Sequence, residues 1–391
     1  MRRLGRERSR RLIVCRWARR AIFDNAAYNS IMAFKHRSVV DSIPAYKQGK
    51  SAPKGANRRA FKLSSNENPY PPLPSVQKAI KDHALDCINR YPDMGGWKVV
   101  ERLAKDYGVD SENVVLGCGS TEVITQLVNL LAGPGDEVVY PWRSFEAYPI
   151  IVSGSGAASV QISNRLDGGH DFDAMIAAIN DKTRLIIVNN PNNPTSVSVR
   201  DDEARRLMEA VPSDVIVLFD EAYVHFNTDP ETSVAMRLYR EYPNIVIAHT
   251  FSKAYGLAGL RIGFGIGPSE VIADMRKLSL PFGVTQSAQI AALASLEADA
   301  ELQERVQALI EERDRIVTAL DAQGWQFPRP YANFFWLPLG AKTADAAARF
   351  TDEGLSVRVF EGEGIRISIG EVEANTKVIE TCKKVKDDGI V

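Results

Sequence analysis

The chain has 391 residues, 45% of them hydrophobic and 25% charged, enough for about two domains that each bury a full core. Its formal net charge of -1 gives no overall field for nucleic acid or an acidic membrane, and no apolar run approaches the roughly 20 residues that span a bilayer. Four cysteines, Cys15, Cys87, Cys118 and Cys382, are scattered without a C-x-x-C pair, which argues against a disulfide framework or a metal site and suits a reducing, cytoplasmic compartment.

Residues 1–35 lack a globular pattern and are dense in arginine from Arg2 to Arg20. They read as a disordered N-terminal extension from a start upstream of Met32; an organelle transit peptide and a basic nucleic-acid arm are the other readings. Residues 36–88 are expected to form an N-terminal arm and part of a small domain. From Asn113 onward, β-branched runs alternate with helix-length amphipathic stretches, the pattern of βαβ units around a largely parallel sheet. The runs predict strands over Asn113–Leu116, Glu137–Tyr140, Ala158–Ile162, Leu185–Val188, Val215–Phe219, Ile245–Ala248 and Arg261–Ile266. Helices are predicted over Ser120–Ala132 and Asp201–Val211, the second opening on aspartates that can cap it. The large domain is thus expected over 89–283. Beyond Pro281 the pattern changes to long polar helices, Ala288–Gln323, and to strands Phe334–Leu339, Val357–Phe360 and Ile365–Ile369, a smaller α+β domain over 284–391.

Polar motifs follow the predicted strand ends, where ligands sit in such sheets. T-F-S-K-A-Y-G-L-A-G-L-R-I-G-F, Thr250–Phe264, places Lys253 in a hydroxyl- and glycine-rich loop with Arg261 eight residues on. Desolvation and nearby positive charge lower an amine's pKa, so such a lysine can form an imine with an aldehyde. Thr250, Ser252 and Arg261 suit a phosphate monoester. Pyridoxal 5'-phosphate carries both groups.

The segment resembles the lysine loop of fold-type I aminotransferases of class I/II, the branch holding histidinol-phosphate and aromatic amino acid aminotransferases. Further motifs in the same order extend the resemblance from about Val40 to the C-terminus. It implies an α/β fold with a three-layer αβα large domain, a mostly parallel sheet and a smaller α+β domain. In V-I-V-L-F-D-E-A-Y it implies that Asp220 pairs with the pyridinium and that Tyr223 hydrogen-bonds the ring hydroxyl. Asn193, in N-N-P-N-N-P-T-S, matches the asparagine at the same oxygen. That motif ends on Ser196 where the family has glycine, a change costing about 1 kcal/mol if the backbone there has positive φ. Gly119, Ser120 and Thr121 of L-G-C-G-S-T match the phosphate loop at a helix N-terminus. Phe145 of P-W-R-S-F-E-A-Y-P matches the aromatic residue stacked on the ring. Tyr91 matches a tyrosine that reaches the phosphate from the neighbouring subunit, which implies a homodimer.

The implied reaction is transamination between an amino acid and a 2-oxo acid through a Lys253 imine. For substrate, the resemblance implies Tyr46, Asn68, Phe282, Asn333, Arg358 and Arg366, with Arg366 gripping the acidic group. Phe282 stands where histidinol-phosphate aminotransferases use a tyrosine from the partner, and the missing hydroxyl suits an aromatic side chain. Together with N-F-F-W-L-P-L-G, this points to an aromatic, phenylalanine-like substrate and 2-oxoglutarate, with histidinol phosphate as the alternative. A threonine-phosphate decarboxylase relative and an aminotransferase-like DNA-binding regulator are further readings; the latter lacks a recognition helix before the matched region.

Overall fold

The structure, a computed structural model, describes residues 36–49 and 59–391. The N-terminal extension read over 1–35 lies outside the described residues. In chain order the strands are β1 (Phe61–Lys62), β2 (Val114–Gly117), β3 (Glu137–Trp142), β4 (Ala158–Ser163), β5 (Thr183–Asn189), β6 (Ile216–Asp220) and β7 (Ile245–Thr250). There follow β8 (Gly263–Ile266), β9 (Phe334–Pro338), β10 (Leu355–Ser356), β11 (Arg358–Phe360) and β12 (Gly364–Ser368).

The central sheet has the order β2-β8-β7-β6-β5-β3-β4. From β7 to β4 neighbours run parallel, as the βαβ pattern predicts, while β8 is antiparallel to both β7 and β2. The loop after β7 causes the reversal: the chain leaves at Thr250, turns through residues 251–262 and re-enters at the same sheet end. Gly263 therefore pairs with both Thr250 and Gly117, which brings the phosphate-loop strand beside the lysine loop.

Both faces of the sheet are buried, so its central strands read as continuous apolar runs. Leu185 and Ile187 pack into one layer with Ile124, Leu127 and Val128 of the helix Ser120–Leu131. Ile186 and Val188, one residue out of phase, join the opposite core with Leu103 and Leu207. Helices on both faces give the three-layer α/β arrangement.

Several boundaries move for local reasons. The strand expected from Arg261 begins at Gly263, because Arg261 has φ 55° and belongs to the turn. The strand expected to end at Phe219 includes Asp220, which lies in register with Asn189 and Ala248. The long polar helices are Gln286–Glu297 and Asp299–Ala322, parted at Ala298. Asp299 and Glu301 favour the positive end of a helix over its interior. In the helix Asp201–Ala210 the cap is supplied by Glu203, which accepts from the Arg200 amide at 3.1 Å, while Asp201 pairs with Arg205 at 2.8 Å.

A second sheet, order β11-β12-β9, is antiparallel, and β1 pairs with β10 in parallel. The Leu63 amide donates to Ser356 O at 2.8 Å, and the Ser368 amide to Leu63 O at 3.0 Å. These bonds sew the segment after β1 onto the C-terminal strands and carry Asn66, Glu67 and Asn68 toward the lysine loop.

Candidate active site

The carboxyl ends of β5, β6 and β7 open on a cavity of about 660 Å³. Ser120, Thr121, Phe145, Asn193, Asp220, Tyr223, Thr250, Ser252, Lys253, Arg261 and Tyr46, all proposed from sequence, line it. Strand register assembles them, since Asn189 of β5 lies beside Asp220 of β6, and Ala248 of β7 lies on its other side.

Lys253 keeps some contact with the cavity, but its ammonium is enclosed by protein and sits 3.2 Å from Asn66 O and 5.4 Å from the Tyr223 ring centre. Burial lowers its pKa to about 8, and the cations Arg366 and Arg261 add to the effect. Asp220 is 3% exposed, and burial raises its pKa. Tyr148 Oη donates to Asp220 Oδ2 at 2.7 Å and the Ala222 amide to Oδ1 at 3.3 Å, which oppose that rise in part. Lys253 and His249 also lower the pKa, and Asp220 lines the cavity, where its carboxylate can accept a further donor.

At the other end, Thr250 Oγ1 and Ser252 Oγ are 2.9 Å apart, and Arg261 Nη1 donates to Ser252 Oγ at 3.3 Å. Gly119, the residue before the helix Ser120–Leu131, has φ 80°, and a Cβ there would run into the Arg261 guanidinium. A Cβ on Gly263 would meet the Ser120 amide and the Gly119 carbonyl carbon. Bare backbone at both positions lets a helix N-terminus, two hydroxyls and a guanidinium converge, which is the donor set for a phosphate dianion. Ammonium, buried carboxylate and anion cradle thus fit the aldehyde, ring nitrogen and phosphate of pyridoxal 5'-phosphate.

The substrate residues are placed less uniformly. Arg366 is 7% exposed and donates to Asn193 Oδ1 at 2.6 Å and Ser64 O at 2.8 Å; its Nε has no acceptor among the described residues. Arg358 donates twice to Glu146 Oε2, at 2.5 and 3.1 Å, with side chains 11% and 27% exposed. Tyr46 is exposed, and burial of its hydroxyl raises its pKa, as do Tyr223 and Glu146, while Arg366 and Arg358 lower it. Asn68 donates its amide to the lysine-loop carbonyls of Ala254 at 3.1 Å and Lys253 at 3.4 Å. Asn333 is buried and donates to Asn66 O at 3.4 Å. Tyr91, 82% exposed, stacks on Phe282 with ring centres 4.6 Å apart, away from the cavity wall.

Ser196 does have positive φ, 65°. Its hydroxyl donates to Phe334 O at 2.8 Å and accepts from the amides of Ala332 at 2.9 Å and Tyr331 at 3.2 Å. Those bonds offset the strain and tie the asparagine loop to the start of β9.

Sequence reasoning missed Asn66, Glu146, Tyr148 and Asn189. Asn189 links the two strand ends, accepting from the Asn193 amide at 2.8 Å and donating to Asp220 O at 3.0 Å. Its signal was present, an asparagine ending an apolar strand. Tyr148 and Glu146 lie inside the P-W-R-S-F-E-A-Y-P motif, but their partners are distant in sequence.

Residues 58–381 match the family model for aminotransferase class I and II. The aromatic amino acid aminotransferase of Streptomyces avermitilis is 51% identical over 353 residues, covering 90% of this chain and 98% of the relative. That of Thermobifida fusca is 47% identical, covering 89% and 96%. Among solved structures, histidinol-phosphate aminotransferase from Sinorhizobium meliloti in complex with pyridoxal-5'-phosphate shares the fold, with TM-score 0.80, 24% identity and coverage of 92% of this chain and all of that one. With its site geometry and these matches across most of its length, the chain belongs to the class I and II aminotransferases.

Proposed function

We propose that the protein transfers the amino group of an aromatic, phenylalanine-like L-amino acid to 2-oxoglutarate, using pyridoxal 5'-phosphate joined to Lys253. The observation that carries the aromatic preference is the Glu146–Arg358 pair, which neutralises a cation beside the cavity while Phe145, Ile150 and Ile151 give its wall apolar surface. The names of the relatives agree with it.

When bound, the cofactor supplies an electron sink for negative charge at the substrate Cα. Lys253 Nζ, its pKa lowered by burial to about 8, moves the proton to and from that carbon as general base and acid. Asp220 keeps the pyridine nitrogen charged, with Tyr148 orienting its carboxylate. Tyr223 and Asn193 serve the ring oxygen, Phe145 covers the ring face, and Gly119, Ser120, Thr121, Thr250, Ser252 and Arg261 anchor the phosphate. Arg366 is the residue that grips the substrate carboxylate.

The protein works in the cytoplasm as a homodimer, divided near residue 283 into a large and a small domain. Tyr91 and Phe282 form an exposed aromatic stack, and Met94, Trp97 and Leu280 line a groove on the same segments. Such a surface suits a second copy, across which Tyr91 serves the partner's phosphate and Phe282 its substrate. No helix among the described residues is long and apolar enough to cross a membrane.

A histidinol-phosphate aminotransferase is the second reading, favoured by the two arginines whose charges both reach Tyr46. Comparing kcat/KM of the purified protein for phenylalanine and histidinol phosphate, with 2-oxoglutarate as acceptor, separates them. Preference for phenylalanine is expected; strong preference for the phosphate ester overturns the proposal.

A further inference from the structure

Asn66 lies between β1 and the helix Pro74–His83, buried and with φ 51°, a conformation asparagine tolerates better than most residues. It joins the C-terminal sheet to the catalytic groups. Its backbone amide donates to Ser368 Oγ at 2.8 Å, and Ser368 Oγ lies 3.0 Å from Asn66 Oδ1. Ser368 Oγ has no other acceptor among the described residues, so its own hydrogen is directed to Oδ1. This fixes which end of the side-chain amide is oxygen and leaves Nδ2 facing Tyr223 Oη at 3.1 Å. Tyr223 Oη thus receives a hydrogen bond on its buried side, and its own hydrogen is free to point into the cavity that Tyr223 lines. The Asn66 carbonyl meanwhile accepts from Lys253 Nζ at 3.2 Å.

The geometry points to Asn66 as a positioning residue that fixes Tyr223 as a hydrogen-bond donor into the cavity, toward an anionic oxygen of the cofactor. This rests on the reading that Tyr223 serves the ring oxygen. A hydroxyl that accepts one hydrogen bond donates the next more strongly. The stronger donor stabilises the charged form of the ring oxygen and lowers the pH at which the bound cofactor loses its proton. Asn66 acts on the cofactor through Tyr223, since its side chain stands behind the tyrosine.

The test is a pH titration of the visible absorption band of the holoprotein, independent of turnover. Asn66→Gly keeps the positive φ and removes the amide; its midpoint should rise by about half a unit to one unit. Asn66→Asp is isosteric and keeps an acceptor for Ser368, but its carboxylate draws the Tyr223 hydrogen inward, so its midpoint should rise at least as far. Tyr223→Phe should raise the midpoint, and adding Asn66→Gly to it should produce no further shift. A wild-type midpoint in both Asn66 variants, or additive shifts in the double variant, would overturn the assignment while leaving the role of Tyr223 intact. An unchanged midpoint in Tyr223→Phe would remove that role and the assignment with it. Normal cooperative unfolding of each variant separates these results from misfolding.

Discussion

Glu146→Gln is the perturbation that bears most directly on substrate choice. In the wild-type protein Glu146 accepts two hydrogen bonds from Arg358, and the arginine side chain is only 11% exposed. Glutamine keeps the size and one acceptor oxygen but removes the charge, so Arg358 becomes a partly desolvated cation without an anion. One charge-assisted hydrogen bond contributes about 1.5–3 kcal/mol. If the released guanidinium gives that bond to an anionic side chain, kcat/KM for histidinol phosphate should rise roughly 10- to 150-fold relative to phenylalanine. The assay is steady-state transamination with both donors, on wild type and variant, alongside urea unfolding. The variant should lose about 1–3 kcal/mol of stability as its charge goes unpaired. A folded variant whose substrate ratio stays within about twofold of wild type, well below the range set by that bond energy, would refute the idea that Glu146 restrains Arg358.

The Lys253 pKa of about 8 sets a pH dependence. Since the neutral amine is the reactive form, the rate at which apoprotein takes up pyridoxal 5'-phosphate should rise with pH and level off with a midpoint near 8; a midpoint near the ordinary 10.5 would contradict the burial argument. Ser196→Ala keeps the positive φ but leaves the Ala332 amide and Phe334 carbonyl without their partner, and should cost about 2–3 kcal/mol in urea unfolding. Ser196→Gly loses the same bonds but relieves the backbone, so it should be about 1 kcal/mol more stable than the alanine variant. Equal stability of the two would show that the strain is negligible.

Chemistry carried by contiguous residues was legible before any coordinates. Lys253 with its hydroxyls, Asp220 at the end of an apolar run and the Gly119-Ser120-Thr121 junction each combine a strand end with an unusual polar residue, and register alone brings them together. Periodicity located the strands but not their direction. The reversal of β8 follows from how the loop after Thr250 closes, which no alternation pattern encodes. Asn66 and Ser368 are 302 residues apart, and Glu146 and Arg358 are 212 apart, so each half looks like an ordinary polar residue. Asn68 donates its amide to the lysine-loop backbone 185 and 186 residues away, a contact that no local pattern announces. Ser196 broke a glycine pattern, and only the β9 partners of its hydroxyl explain why serine fits.

The account depends most on one covalent attachment. Holoprotein reduced with borohydride and digested should yield a single pyridoxyl-labelled peptide, and fragmentation should place the label on Lys253. A label on any other lysine, or no label after reduction of a protein that binds the cofactor, would contradict it.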